Sequence, residues 1–228
     1  MDYFIRYFSE LPDMWPLFLA GFIATLQLLV ISGLIAFVIG LIIAAFRVSP
    51  LGVLRTSGAV YTETVRNIPL TLIFVFTAVI LPTLGLTLLE FKEGKWFVYA
   101  IIALSLYTSP FVAEAIRSGF NGVPIGQAEA ARSIGLKFGQ TLSLVVMPQA
   151  LRMTIPPLIN VFIALTKNTS VAGGFAVAEL FSKSGALIER WGNFPIPILL
   201  TTAVLYLVIT VPLGQIAGYV ERKVAVVR

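Results

Sequence analysis

Long uncharged runs alternate with short polar ones along this chain, and the lengths of the uncharged runs are its first readable signal. No charged residue occurs within residues 14–46, 67–89, 96–113 or 191–220. Each run approaches or exceeds the roughly 20 residues a helix needs to cross a bilayer. A further apolar run, 153–166, is too short alone. It reaches spanning length only if Lys167 lies inside the membrane and the helix continues towards Glu179. The pattern predicts an all-α integral membrane protein with five transmembrane helices, over approximately 14–46, 67–89, 96–113, 153–178 and 191–220. Five crossings put the termini on opposite sides. No internal repeat or low-complexity tract divides the chain, so residues 1–228 are expected to form a single transmembrane domain.

Composition strengthens this reading and removes others. Charged residues make up 12% of the chain and apolar ones 58%, whereas soluble domains carry about 25% charged residues. Neither Cys nor His is present. Thiol chemistry, a His or Cys metal site and a Ser-His-Asp triad are therefore excluded, and no metal or other cofactor is expected. A cleavable leader is not expected either, because Asp2, Glu10 and Asp13 precede an apolar run far longer than a leader's.

Charge then orients the spans. Segments 47–66, 114–152 and 221–228 hold ten basic residues and four acids, whereas 1–13, 90–95 and 179–190 hold five basic residues and seven acids. The positive-inside rule places the first set in the cytoplasm, so the N-terminus is expected outside and the C-terminus inside. The net charge of +5 reports this orientation, and no nucleic-acid partner is expected.

The polar stretch 114–152, EAIRSGFNGVPIGQAEAARSIGLKFGQTLSLVVMPQALR, is longer than a turn requires. Loops of this length are usually functional or disordered, and this one is too rich in helix formers to be disordered. Pro124 suits a first helical turn. Residues Gln127 to Ile134 favour a helix, and Gly135 suits the left-handed position that ends one. Ala128 with Ala131, and Ala130 with Ile134, give a small-residue face that another protein could approach closely. Glu129 and Arg132, three apart, can pair with each other or with a partner. A helical hairpin packed on its own subunit fits the same residues.

Two groups of charges lie at or within spans. Lys167 is expensive near a bilayer centre, about 2.5–3.5 kcal/mol on insertion scales, and is followed by Asn168, Thr169, Ser170, Gly173 and Gly174. Polar residues with paired glycines fit an interrupted helix that exposes backbone to a substrate. A structural pairing of Lys167 with Glu114 fits equally. Glu63 and Arg66 share a helical face at the start of the second span, either as an internal ion pair or as substrate contacts. Pro69 and Pro82 are expected to bracket or kink that span. Gln27, Tyr61 and Tyr107 are lesser candidates.

These segments carry a family resemblance. GQAEAARSIG (126–135), followed by MPQALR (147–152) and IPPLIN (155–160), resembles the EAA loop of ATP-binding-cassette importer permeases, and is closest to their polar amino acid uptake branch. GFIATLQLLVIS (21–32), YTETVRNIPL (61–70), KNTSVAGG (167–174) and ERK (221–223) resemble further motifs of the family in the same order. The resemblance implies that a short helix bearing Gly126, Gln127, Glu129, Ala130, Ala131, Arg132 and Gly135 couples to a cytoplasmic ATPase. It also implies a substrate path that includes Glu63, Arg66, Glu114, Lys167, Asn168, Thr169 and Ser170. The implied partners are two cytoplasmic ATPase subunits, a second identical or similar permease, an extracytoplasmic substrate-binding protein and the lipid bilayer. The chain has no GxxxxGK[ST] phosphate loop, so ATP hydrolysis falls to the partners.

The chain departs from the family pattern at two places: Asn67-Ile68 stands where the family more often has a Gly-Thr pair, and Asn168 stands where it often has Asp. The second bears on the substrate. One fewer carboxylate in the path disfavours cationic arginine or lysine and favours glutamate or glutamine. Histidine, arginine and cystine are the alternative cargoes within the branch. A membrane-embedded enzyme is opposed by the absence of His and Cys. A secondary transporter or channel is opposed by five unrepeated spans with a large inner loop.

Overall fold

In lipid the backbone has no hydrogen-bond partner but itself, so uncharged runs of this length become helices. The computed structural model describes residues 2–85 and 94–224, and every regular element among them is helical. In chain order these are α1 (Asp2–Arg47), α2 (Gly52–Asn67), α3 (Leu70–Thr83), α4 (Lys95–Asn121), α5 (Ile125–Ser133), α6 (Phe138–Phe175), α7 (Leu180–Arg190) and α8 (Pro195–Val224). Helices α1, α4, α6 and α8 are each long and apolar enough to span a membrane. The pair α2–α3, bent by 103°, gives a fifth candidate span. The end of the expected second span, 86–89, and Lys92 lie outside the described residues.

Three boundaries differ from expectation. First, the second span does not begin on the helix that carries Glu63 and Arg66. Those residues end α2, and the chain turns by 103° before α3 rises. Ile68 is extended (ψ 129°) and Pro69 caps α3. A proline disfavours helical backbone in the residue before it and lacks an N–H to continue the ladder, which explains the break. Second, α4 runs to Asn121 rather than stopping near 113, so Glu114 and Arg117 are helical. Charge marked the end of the apolar run, not the end of the helix. Third, α6 starts at Phe138 and ends at Phe175. It opens with a π-helical segment, Thr141–Val146, and closes with a 3₁₀ segment, Thr169–Phe175, before Ala176 turns left-handed at φ 59°. The interruption expected at Gly173-Gly174 is therefore a tightened helix end.

Helix α1 is about 69 Å long at 1.5 Å per residue, more than twice the roughly 30 Å hydrocarbon layer. Its two halves pack against different partners. Leu28 joins Phe74 of α3, Leu104 of α4 and Leu165 of α6 in one buried cluster, where Phe74 and Phe175 stack at 4.9 Å. Nearer the N-terminus, Tyr7, Met14 and Phe18 pack with Leu180 and Leu187 of α7 and Ile198 of α8. Helices α4 and α6 approach closely because Gly119 faces the Ala150 carbonyl, which a Cβ would meet at 2.8 Å. Close approach through small residues is how helices associate where lipid supplies no hydrophobic drive. Leu34, Val38, Val204 and Val208 project outward, as a lipid-facing surface requires.

Candidate substrate cavity and coupling helix

Three residues, 122–124, separate α4 from α5, with Pro124 as the α5 N-cap. Its far end is closed by two hydrogen bonds. The Leu136 N–H donates to the Ala131 carbonyl at 3.2 Å, and the Gly135 N–H donates to the Arg132 carbonyl at 2.9 Å. Gly135 adopts φ +91° there, a conformation in which a Cβ is strained. Gly126, Gln127, Glu129, Ala130, Arg132 and Gly135 are exposed. Ala131 is not: it is 5% exposed, on the side of α5 that packs against the π-helical segment of α6. The expected small-residue docking face must therefore exclude Ala131. Glu129 and Arg132 form no ion pair with each other, and the Arg132 Nε donates to the Ala128 carbonyl instead. Ile125, Ile134 and Phe138, exposed by 76%, 81% and 77%, flank the helix as apolar knobs. Sequence reasoning missed Ile125 and Phe138, although apolar residues beside a polar helix with no periodic partner were the available signal.

A cavity of about 450 Å³ lies between α4 and α6, within the roughly 300–1,000 Å³ typical of small-molecule sites. Its polar lining is Tyr107 and Thr108 from α4 and Asn160 and Asn168 from α6. Phe111, Pro157, Val161 and Ala164 complete it. The Arg66 guanidinium stands over the Phe111 ring, 5.4 Å from its centroid, so the end of α2 packs against one of the residues that line the cavity. Glu63 lies one turn earlier, exposed and not ion-paired to Arg66.

Lys167 and Asn168 are adjacent in sequence but line different spaces. Successive residues on a helix point about 100° apart. Asn168 faces the α4–α6 cavity. Lys167 lines a separate pocket of about 290 Å³ with Ser170, Phe181, Leu199 and Tyr206. Lys167 was expected within reach of Glu114, of Glu63 or of a cavity; among the described residues no carboxylate lies within 4 Å of it, and a pocket is what it faces. Thr169 is buried and donates to the Thr166 carbonyl, and Ser170 donates to the Lys167 carbonyl. Both hydroxyls thus hold the helix end. Tyr61 binds Ser109 at 2.8 Å and ties α2 to α4.

Glu114 is occupied elsewhere. Its Oε1 meets the Arg47 Nη1 at 2.8 Å and its Oε2 meets the Arg117 Nη2 at 2.9 Å, joining the ends of α1 and α4. A second carboxylate, read from the sequence as part of an external segment, is fully buried. Glu179 caps α7, accepting from the N–H groups of Phe181 (2.9 Å) and Ser182 (2.7 Å) and from the Tyr206 hydroxyl (2.9 Å).

A family model described as "Binding-protein-dependent transport system inner membrane component" matches residues 36–226. The chain belongs to this family. As a binding-protein-dependent inner membrane component it is a multi-pass membrane protein, as the resemblance of its coupling-loop motif implied. It is similar to the glutamate transport system permease protein GluC of Corynebacterium glutamicum, at 41% identity over 94% of this chain and 96% of that protein. It is also similar to the probable glutamine ABC transporter permease protein GlnP of Bacillus subtilis, at 38% identity over 97% and 98%. Among solved structures, the crystal structure of an amino acid ABC transporter with histidines superposes with a TM-score of 0.85 at 28% identity, covering 95% of this chain and 98% of the other. This inner membrane component thus shares its helical arrangement, over 95% of its length, with a chain of that transporter.

Proposed function

We propose that this chain is the permease subunit of an ATP-driven importer that moves a polar amino acid, glutamate or glutamine, across the cytoplasmic membrane by alternating access. The observation that carries this reading is the near full-length similarity to permeases named for glutamate and glutamine. Helix α5 docks on a cytoplasmic ATPase through its exposed residues and through the apolar knobs Ile125, Ile134 and Phe138. Two ATPase subunits, a second permease and an extracytoplasmic binding protein complete the assembly, and hydrolysis belongs to the ATPases. The α5 end of the bundle faces the cytoplasm, following the excess of Lys and Arg in that set of segments. The α4–α6 cavity, with Asn168 in its wall and Arg66 over its Phe111, is the substrate path.

The test is uptake into proteoliposomes that contain the permease, its ATPase and its binding protein. ATP-dependent accumulation of labelled glutamate or glutamine is expected. Accumulation without ATP would instead indicate a secondary transporter or channel. Glu129→Lys and Gly135→Val are expected to detach or uncouple the ATPase while the permease still inserts. Wild-type uptake and ATPase co-purification in both variants would remove the docking assignment.

A further inference from the structure

Helix α5 is joined to α4 through residues 122–124, so a displacement of α5 reaches α4 through covalent bonds. Helix α2 lies on a different stretch of chain, after α1. The same displacement reaches α2, and α3 beyond the 103° turn, through side-chain packing.

Three contacts fasten α2 to α4. The Arg66 guanidinium lies over the Phe111 ring. The Tyr61 hydroxyl binds Ser109 at 2.8 Å and donates to the Leu106 carbonyl at 3.2 Å. The third contact passes through the end of α1. Gly58 seats α2 there: a Cβ at this position would meet the Phe46 Cβ at 3.1 Å and the Arg47 Cγ at 3.3 Å. The Arg47 stem therefore lies against α2, and its guanidinium meets Glu114 of α4 at 2.8 Å. Of the three contacts, this one alone pairs two full charges.

Glu114 is shaped for that task rather than for cargo. Its second oxygen meets Arg117 at 2.9 Å, one turn along α4, so both oxygens are already engaged by guanidiniums. Arg117 holds the carboxylate on its own helix while Arg47 draws in the neighbouring one. Energetic coupling between separate elements travels through such chains of packed side chains and ion pairs, and it is established by measuring coupling itself.

Building on the importer reading, we propose that Glu114 is a positioning residue for transport: through Arg47 it latches α2 to α4, so that a stroke delivered to α5 moves α2 and α3 together with α4. Stability and coupling are separate quantities at this latch. A partly exposed ion pair adds little to folding, whereas losing a link between two moving elements changes their coupling several-fold.

The experiment uses the complete importer in proteoliposomes, with labelled glutamate or glutamine, whichever wild type accumulates. It reads cargo accumulated per ATP hydrolysed, the apparent KM for cargo and the melting temperature. Glu114→Gln removes one charge of the latch. Arg47→Met removes the other and keeps a stem beside Gly58. Each should lower accumulation per ATP by about fivefold or more, with an unchanged KM and with the ATPase still co-purifying. Arg47→Lys, which keeps the charge, should lose less than Arg47→Met. The double variant Arg47→Met/Glu114→Gln should be no worse than the more affected single, because both remove the same contact. Wild-type accumulation per ATP in both single variants, whatever their melting temperatures, would overturn the latch and leave the importer reading intact. So would losses that multiply in the double variant. A raised KM at unchanged accumulation per ATP would also overturn it, by returning Glu114 to the substrate path. Should Arg47→Met fail to insert, Glu114→Gln and Arg47→Lys decide between the same outcomes. Absence of ATP-dependent uptake by wild type would instead overturn the importer reading.

Discussion

Glu114 and Glu179 are both carboxylates drawn into the helical bundle, and they are held in opposite ways. Glu114 stands between two guanidiniums, those of Arg47 at 2.8 Å and Arg117 at 2.9 Å, with its side chain still 21% exposed. Glu179 is fully buried and has no cation within 4 Å among the described residues. It is held by two backbone N–H groups at the start of α7 and by one tyrosine hydroxyl. The first arrangement joins two helix ends through charge and stays in reach of water and salt. The second uses the orphan donors of a helix N-terminus, whose partial positive charge offsets the carboxylate without a counter-ion. An ion pair near the surface contributes modestly, whereas a buried carboxylate that caps a helix cannot be removed without stranding the backbone donors it satisfies.

The largest expected effect follows from that last point. Glu179→Leu leaves the Phe181 and Ser182 N–H groups unpaired and takes from the Tyr206 hydroxyl its carboxylate acceptor, and should destabilise the protein by about 3 kcal/mol. Thermal unfolding in detergent reads this directly, and a wild-type melting temperature would show that the carboxylate is not the organising group. Gly173→Ala comes next. Its Cβ would sit 2.6 Å from the Glu179 Oε1, an overpacking expected to cost about 1–3 kcal/mol. Little loss there would mean that the 3₁₀ segment shifts freely past Glu179. Tyr206→Phe removes one of the three donors and should cost about 1.5 kcal/mol, as for a hydrogen bond to a charged acceptor.

Glu114→Gln is the smallest, about 0.5–1 kcal/mol, as for a partly exposed ion pair. It also sharpens the contrast. Raising ionic strength should shrink the Glu114→Gln difference, because exposed charges are screened, and should leave the Tyr206→Phe difference unchanged. Equal salt dependence of the two would mean that the sites are not held by different forces.

Glu114 was more legible in the sequence than Glu179. A basic partner for Glu114, Lys167, is one of the two readings its sequence allows, and in the structure its partners are Arg47 and Arg117. The choice among cations depends on which helix ends meet, and that is a property of the packing. Glu179 read as one acid among several in an external segment. Its burial arises because α7 folds back so that its first turn packs on Thr25 of α1, whose Oγ1 accepts the Leu180 N–H at 3.1 Å. No local pattern encodes that contact across 155 residues.

Local rules were legible where a single residue fixes the backbone. Gly135 ends α5 in the left-handed conformation that its place after the helix demanded. Pro69 stops α2, and the resulting 103° turn was not foreseen, because a proline marks a break without setting its angle. The uncharged runs by themselves determined an all-α membrane protein and the order of its spanning helices, since hydrocarbon admits no other use of such runs. Tertiary structure alone decided that Lys167 and Asn168 open into different spaces, that Arg66 stands over the Phe111 ring of α4, and that Thr108 is left without a partner among the described residues. Those outcomes depend on how helices rotate and cross, which side-chain packing between distant segments sets and local sequence does not.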